Sequence, residues 1–170
     1  DVAFRFRVGA KPFVYCDRDG QTNGYSSAMA SQLTVTSGVI VSACQLLTPS
    51  AFSLESGSPL SASVNIAATG TGAAGQLSGL RAQIGMGAQD DASMSPLWGW
   101  ADATYVNDVS GRDVYGLTFQ PSYTGLRAVS ARVSANNGAS WTYCDLNGSD
   151  QNGYEVSQQY NVTVTRHTPI

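Results

Sequence analysis

The chain is poor in charge. Asp, Glu, Lys and Arg make up only 12% of its 170 residues, against ~25% in an ordinary soluble domain. Lysine occurs once, as Lys11, and glutamate twice, as Glu55 and Glu155. A coiled coil or helical bundle needs Ala, Glu, Lys and Leu at helical spacing, and that composition is missing. The net charge of −3 leaves no basic stripe to neutralise phosphates, so no nucleic-acid partner is expected. No apolar run reaches the ~18 residues of a membrane span, and the first residues do not read as a secretory leader. The one histidine, His167, sits three residues from the last position, a poor place for the rigid base of a Ser-His-Asp or Cys-His system. Zinc-ligand spacing, Gly-x-Gly-x-x-Gly and the Walker Gly-Lys-Ser/Thr are all missing, and Lys11 is followed by Pro12. The expectation is a non-enzyme without a cofactor, calcium being the exception weighed below.

What is present is a strand pattern. Apolar and polar residues alternate over Ala3 to Val8, Gln32 to Thr36, Ser61 to Ala67, Leu80 to Met86, Val114 to Phe119, Arg127 to Val133, Trp141 to Cys144 and Tyr160 to Thr165. Period two at these lengths means half-buried strands. Asp19-Gly20, Asn23-Gly24, Asn137-Gly138, Asn147-Gly148 and Asn152-Gly153 supply turns with positive φ. Short strands at this spacing, with no helical stretch between them, predict an all-β antiparallel sandwich. Thr69 to Ser78 and Gln89 to Pro96 read as a loop and a polar insertion.

The chain also repeats itself. Tyr15-Cys16-Asp17-Arg18-Asp19-Gly20, then Asn23-Gly24-Tyr25, returns as Tyr143-Cys144-Asp145-Leu146-Asn147-Gly148, then Asn152-Gly153-Tyr154. Arg5-Phe6 corresponds to Arg132-Val133, Phe13 to Trp141, and Leu33-Thr34-Val35-Thr36 to Val162-Thr163-Val164-Thr165. The offset is a constant 129 from Asn23 to Thr36. Residues 1–40 thus read as the end of one module, an extra N-terminal β-hairpin, and 41–170 as one nearly complete module. Two readings stay open. The chain is a piece of a tandem array, with the hairpin packed on its own chain, or the hairpin adds strands to a neighbouring molecule. A head-to-tail contact of the second kind does not close, and it builds filaments.

Three cysteines in a Lys-poor, Ser/Thr/Gly-rich chain suggest an oxidising compartment. The candidates are Cys16–Cys44 and Cys44–Cys144, beside the bland possibility of buried thiols. The first is preferred, because the repeat then offers a cysteine after each Leu-Thr-Val strand to meet the preceding Tyr-Cys; Cys144 is left free or intermolecular. Asp17-x-Asp19-Gly20 and Asp145-x-Asn147-Gly148-Ser149-Asp150 have alternating oxygen ligands followed by glycine. They are either Asx turns closing hairpins or a calcium site of Asp17, Asp19, Asp145, Asn147 and Asp150. An EF-hand is excluded, since Val156 stands where the bidentate Glu belongs. Trp98 and Trp100 share one strand face, as do Trp141 and Tyr143. With Tyr105 they form either core or a platform for sugar rings. Tyr115 and Tyr123 are placed in the same layer.

The stretch Ala131 to Gly148, ending in Trp141-Thr142-Tyr143-Cys144-Asp145-Leu146-Asn147-Gly148, resembles the closing strands of bacterial Ig-like repeats that sit in tandem in large secreted or surface proteins. Trp98-x-Trp100-x-x-Ala103-x-Tyr105 resembles their middle strand, and Cys44-Gln45-Leu46-Leu47-Thr48-Pro49 their start. The resemblance covers Cys44 to Val164 and the partial copy before it. It implies an extracellular or cell-surface Ig-like β-sandwich, with a jelly roll as the alternative, and carries over no catalytic residues. A fainter similarity is to starch-binding sandwich modules. The expected function is therefore structural: a subunit of an extracellular filament or surface assembly, a homo-polymer joined by strand addition from the N-terminal segment. The alternative is a carbohydrate-binding or adhesive module of a larger secreted protein, with Trp98, Trp100, Tyr105 and Trp141 on the glycan.

Overall fold

A computed structural model describes residues 4–8, 10, 14–16, 38–89, 96–148 and 154–167. The chain divides into two compact units, Asp1–Ser37 and Gly38–Ile170. In the first, β1 (Phe4–Phe6) pairs antiparallel with β2 (Val14–Cys16).

The second unit is all-β. Its strands are β3 (Val41–Leu47), β4 (Ser53–Glu55), β5 (Leu60–Ala68), β6 (Arg81–Ala88), β7 (Gly99–Val109), β8 (Arg112–Phe119), β9 (Gly125–Ser134), β10 (Thr142–Cys144) and β11 (Tyr160–Thr165). The only helical piece among the described residues is a 3₁₀ turn at Val156–Gln158. The strands line up as β3-β5-β8-β7-β6-β9-β11-β4, with β10 on β9. Period two decides which residues go inside. Leu60, Ala62, Val64 and Ile66 of β5 are buried while Ser61 is exposed. Ala82 and Ile84 of β6, Val129, Ala131 and Val133 of β9, and Val162 and Val164 of β11 meet them in one core. Each such Val, Leu or Ile side chain is worth roughly 1.5–3 kcal/mol once buried, and each alanine less.

The sheet curls because β7 serves two neighbours. Its residues Gly99 to Ala103 pair with β6, and Thr104 to Val109 pair with β8. A bulge between Tyr105 and Asn107, two residues into the β8 pairing, bends the strand just past the change of neighbour. The curl brings β3, at one edge, back to the residue after β10, where Gln45 and Asp145 form a parallel bridge. The sheet is therefore mixed, not wholly antiparallel: β4 also runs parallel to β11, with Leu54 beside Val164. These two parallel contacts join segments far apart in sequence, so no tight turn imposes an antiparallel direction.

The seam carries the disulfide. Cys44 is bonded to Cys144, with Cα atoms 5.2 Å apart, and Cys16 is a free thiol. The expected Cys16–Cys44 pair is thus replaced, and Cys144 is neither free nor intermolecular. Nearness in sequence favoured Cys16, but the curl makes β3 and β10 neighbours across 100 residues. A disulfide suits a non-cytoplasmic compartment. Chain-entropy arithmetic for a loop of this length gives about 4–5 kcal/mol. Cys44→Ser should lower the urea-unfolding free energy by about that much; a loss under about 1 kcal/mol would show that the seam holds without its bond.

Candidate functional site

The aromatic residues gather on the outer face of β6, β7, β9 and β10. Gly85 and Gly87 of β6 lack side chains where two indoles lie. A Cβ at Gly85 would sit 2.6 Å from Trp100, and one at Gly87 would sit 2.3 Å from Trp98. Trp98 is consequently only 5% exposed, and its buried Nε1 has no hydrogen-bond partner. The two indoles are nearly parallel, with centroids 5.5 Å apart. Tyr143 meets Trp100 edge-on at 5.8 Å, and Tyr154 follows at 6.1 Å.

Arg132 ties this layer to the sheet. Its guanidinium lies 4.5 Å from the Trp100 ring centre and 4.4 Å from that of Trp141. Such cation–π contacts contribute roughly 0.5–2 kcal/mol. The same guanidinium donates through Nε to Gln83 Oε1 at 2.8 Å. Gln83 Nε2 donates to Asp102 Oδ1 at 2.9 Å, and Arg81 Nη2 reaches the same carboxylate at 3.0 Å. The Gln83 amide, with Arg81 behind it, holds the Asp102 carboxyl below its ordinary range. The result is a pre-ordered wall of indole, guanidinium, amide and carboxylate.

Of the four aromatic residues picked for a glycan platform, the structure brings together Trp98, Trp100 and Trp141. Tyr105 is elsewhere: it packs against the core, edge-on to Tyr115 at 5.9 Å. Strand parity explains this, since 105 is odd and falls on the face opposite Trp98 and Trp100. Trp98 offers no open ring face, and Trp100 already rests on Gly85 and Arg132. Tyr115 is buried, whereas Tyr123 is exposed and stacks under Arg127 at 5.6 Å. The two tyrosines thus do not share a layer. Tyr123 and Arg127, with Leu97 and Phe119, line a groove of about 540 Å³ where β7 parts from β8. Arg132, Gly85 and Gly87 were not singled out from the sequence. The alternate glycines of β6 opposite a Trp-x-Trp strand were the signal that could have found them.

Asp145 behaves as an Asx-turn residue. It is 2% exposed, and its two oxygens accept from the backbone N–H groups of Gly148, at 3.2 Å, and Glu155, at 3.1 Å. These bonds close the turn after β10. Asn147 is exposed. Asp17, Asp19 and Asp150 lie outside the described residues. Among the described residues no three His, Cys, Asp or Glu side chains gather as metal ligands. His167 pairs with Glu55 at 2.9 Å on the surface, beside β4.

Gly87→Ala tests the aromatic wall. The new methyl should displace Trp98, costing about 1–3 kcal/mol as in other overpacked sites and shifting tryptophan emission to the red. Gly72→Ala, with nothing within 4 Å of its Cβ, should change neither.

No family model matches this chain, and no solved structure matches it. A stretch of 54 residues is 37% identical to amylopullulanase of Thermoanaerobacter thermohydrosulfuricus. The likeness spans 32% of this chain and 4% of that protein.

Proposed function

We propose that the chain is a structural subunit of an extracellular filament or surface assembly, joined head to tail through its N-terminal strands. The curled, disulfide-closed sheet suits an Ig-like β-sandwich, with a jelly roll as the alternative. The supporting observation is a match of register. Arg5 pairs with Tyr15 and Phe4 with Cys16 in β1–β2. Their repeat counterparts pair in the same way in β9–β10, Arg132 with Tyr143 and Ala131 with Cys144. The N-terminal hairpin is thus a second copy of the hairpin that closes the main unit.

In the main unit that closing hairpin is held by β3. The contacts are the disulfide, the Leu46 N–H to Asp145 O bond at 2.7 Å, and the Gln45 Nε2 to Leu146 O bond at 2.9 Å. Gly148 leaves room for the Gln45 side chain, which a Cβ there would meet at 2.7 Å. The N-terminal copy keeps cysteine, aspartate and glycine at the matching positions, Cys16, Asp17 and Gly20. The Leu146 counterpart is Arg18, but this contact uses only a carbonyl. The copy therefore carries what is needed to receive a β3-like strand. Cys44 is committed to Cys144 in every copy, so a neighbouring chain would meet this hairpin through strand edges alone, by strand addition.

A second reading is a carbohydrate-binding or adhesive module of a larger secreted protein. The likeness to a stretch of an amylopullulanase favours it, as does the pre-ordered indole–guanidinium wall with Asp102 and Arg81 exposed beside it.

Non-reducing size-exclusion chromatography with negative-stain microscopy tests the first reading. Filaments are expected, and removal of residues 1–37 should abolish them. A monomer at every concentration would overturn it. For the second reading, retention on insoluble starch should fall about tenfold in Trp141→Ala, as expected when a stacking aromatic worth a kcal/mol or more is lost. Equal retention removes that face from consideration.

A further inference from the structure

The end of the half-barrel opposite the groove carries a pair of carboxylates. β7 and β8 are joined by a two-residue turn, Ser110–Gly111, with φ of 52° and 74°. Around it Val109 faces Arg112, and Asp108 faces Asp113. Asp113 also pairs with Ile66 of the inner face and has no exposed surface.

The loop between β5 and β6 folds over the pair. Thr71 Oγ1 donates to Gly111 O at 3.1 Å. Gly75 N–H donates to Asp108 Oδ2 at 2.7 Å, and Leu77 N–H to Asp113 Oδ2 at 2.9 Å. Each carboxylate thus has one oxygen satisfied by the loop. The other oxygen of each, Oδ1, is buried without a hydrogen-bond partner. Neither carboxylate belongs to an ion pair among the described residues. Asp113 is fully buried and Asp108 half-buried; two acceptor-only groups side by side repel each other, and each leaves a buried acceptor unmet. Tyr115, two residues from Asp113 on the same strand face, meets the Tyr105 ring edge-on at 5.9 Å.

A bound hard cation answers both deficits, whereas a lone hydroxyl or amide donor would leave the repulsion in place. We propose that Asp108 and Asp113, through their two unpartnered buried oxygens, hold a calcium ion beneath the 70–79 loop. Calcium accepts carboxylate oxygens and fills the rest of a flexible shell with water, which suits a site with two protein charges. The ion would pin the loop to the β7–β8 turn and so close this end of the core. The site is separate from the Asx turns and independent of the assembly reading.

Terbium, which substitutes for calcium, provides the test on the full chain. Excitation of tyrosine should give sensitised terbium emission, because Tyr105 and Tyr115 adjoin the site, and millimolar calcium should displace it. Asp113→Asn and Asp108→Asn should each cut the emission about tenfold, the usual consequence of losing a charged ligand from a weak extracellular-type site. The thermal midpoint of the unmodified chain should rise by roughly 5 °C in saturating calcium over EDTA. Asp113→Asn should lose that rise, yet in EDTA it should melt no lower than the unmodified chain, since it keeps the acceptor for Leu77 N–H and removes a like charge. Emission that both variants retain, or a midpoint indifferent to calcium, overturns the site. Emission lost only in Asp145→Asn would place the ion at the Asx turn and overturn it equally.

Discussion

A curled sheet with no α-helix over either face among the described residues must seal its own edges, and in this protein everything hangs on the seam between β3 and the end of β10. At that line the Cys44–Cys144 bond, one parallel bridge and the Gln45 amide do the work of a row of ladder bonds. Without it β3 is an edge strand with unpaired backbone groups, the kind of edge that invites another chain. The buried face of β3, Cys44 and Leu46, would also lose the layer it packs against. The disulfide is therefore not an ornament on a finished core. It restrains the unfolded chain across nearly the whole unit and fixes the closing strand of the native one.

The same seam is where the proposed assembly would meet stability. One motif, Tyr-Cys-Asp followed by Gly, closes the main unit and stands again at the N-terminal hairpin in the same register. Asp145 shows why the motif travels whole. Its carboxylate holds the turn through the Gly148 and Glu155 amides while its carbonyl receives Leu46 N–H. The side chain shapes the turn and the backbone meets the neighbour. The N-terminal copy keeps Cys, Asp and Gly in its sequence, with Arg18 between them.

Much of the fold was legible in the residues. Every alternating stretch of the main unit named from the sequence falls on a strand, and the parity of β5, β6 and β9 assigns their core residues without further help. The duplication was legible too, because it is a comparison of the chain with itself. What escaped was whatever depends on which strands become neighbours. The cysteine pairing is one case: β3 comes beside the end of β10 only once β7 passes from β6 to β8, which no local pattern announces. The parallel seat of β4 is another. Tyr105 is a different kind of miss, since counting by two from Trp100 already places it on the opposite face.

The carboxylate pair shows where legibility ends. Asp108-Val-Ser-Gly-Arg-Asp113 carries its own geometry: a two-residue turn at Ser110–Gly111 forces the two aspartates opposite each other. Which face they point to follows from Ile66 and Tyr115, partners and neighbours already known to be buried. The sequence could thus have paired them. Only the folded chain shows that a loop some 30 residues earlier supplies an amide to each and leaves an oxygen of each unmet. Burying such a pair without compensation is among the costlier things a small core can do. On the calcium proposal, a fold that places it at the end of its central hairpin, under a loop anchored by Thr71, makes that end of the core conditional on a positive charge. The seam closes one side of the sheet covalently; on the same proposal the opposite end of the β7–β8 hairpin from the groove is closed by electrostatics, and an oxidising, calcium-rich setting would satisfy both requirements together.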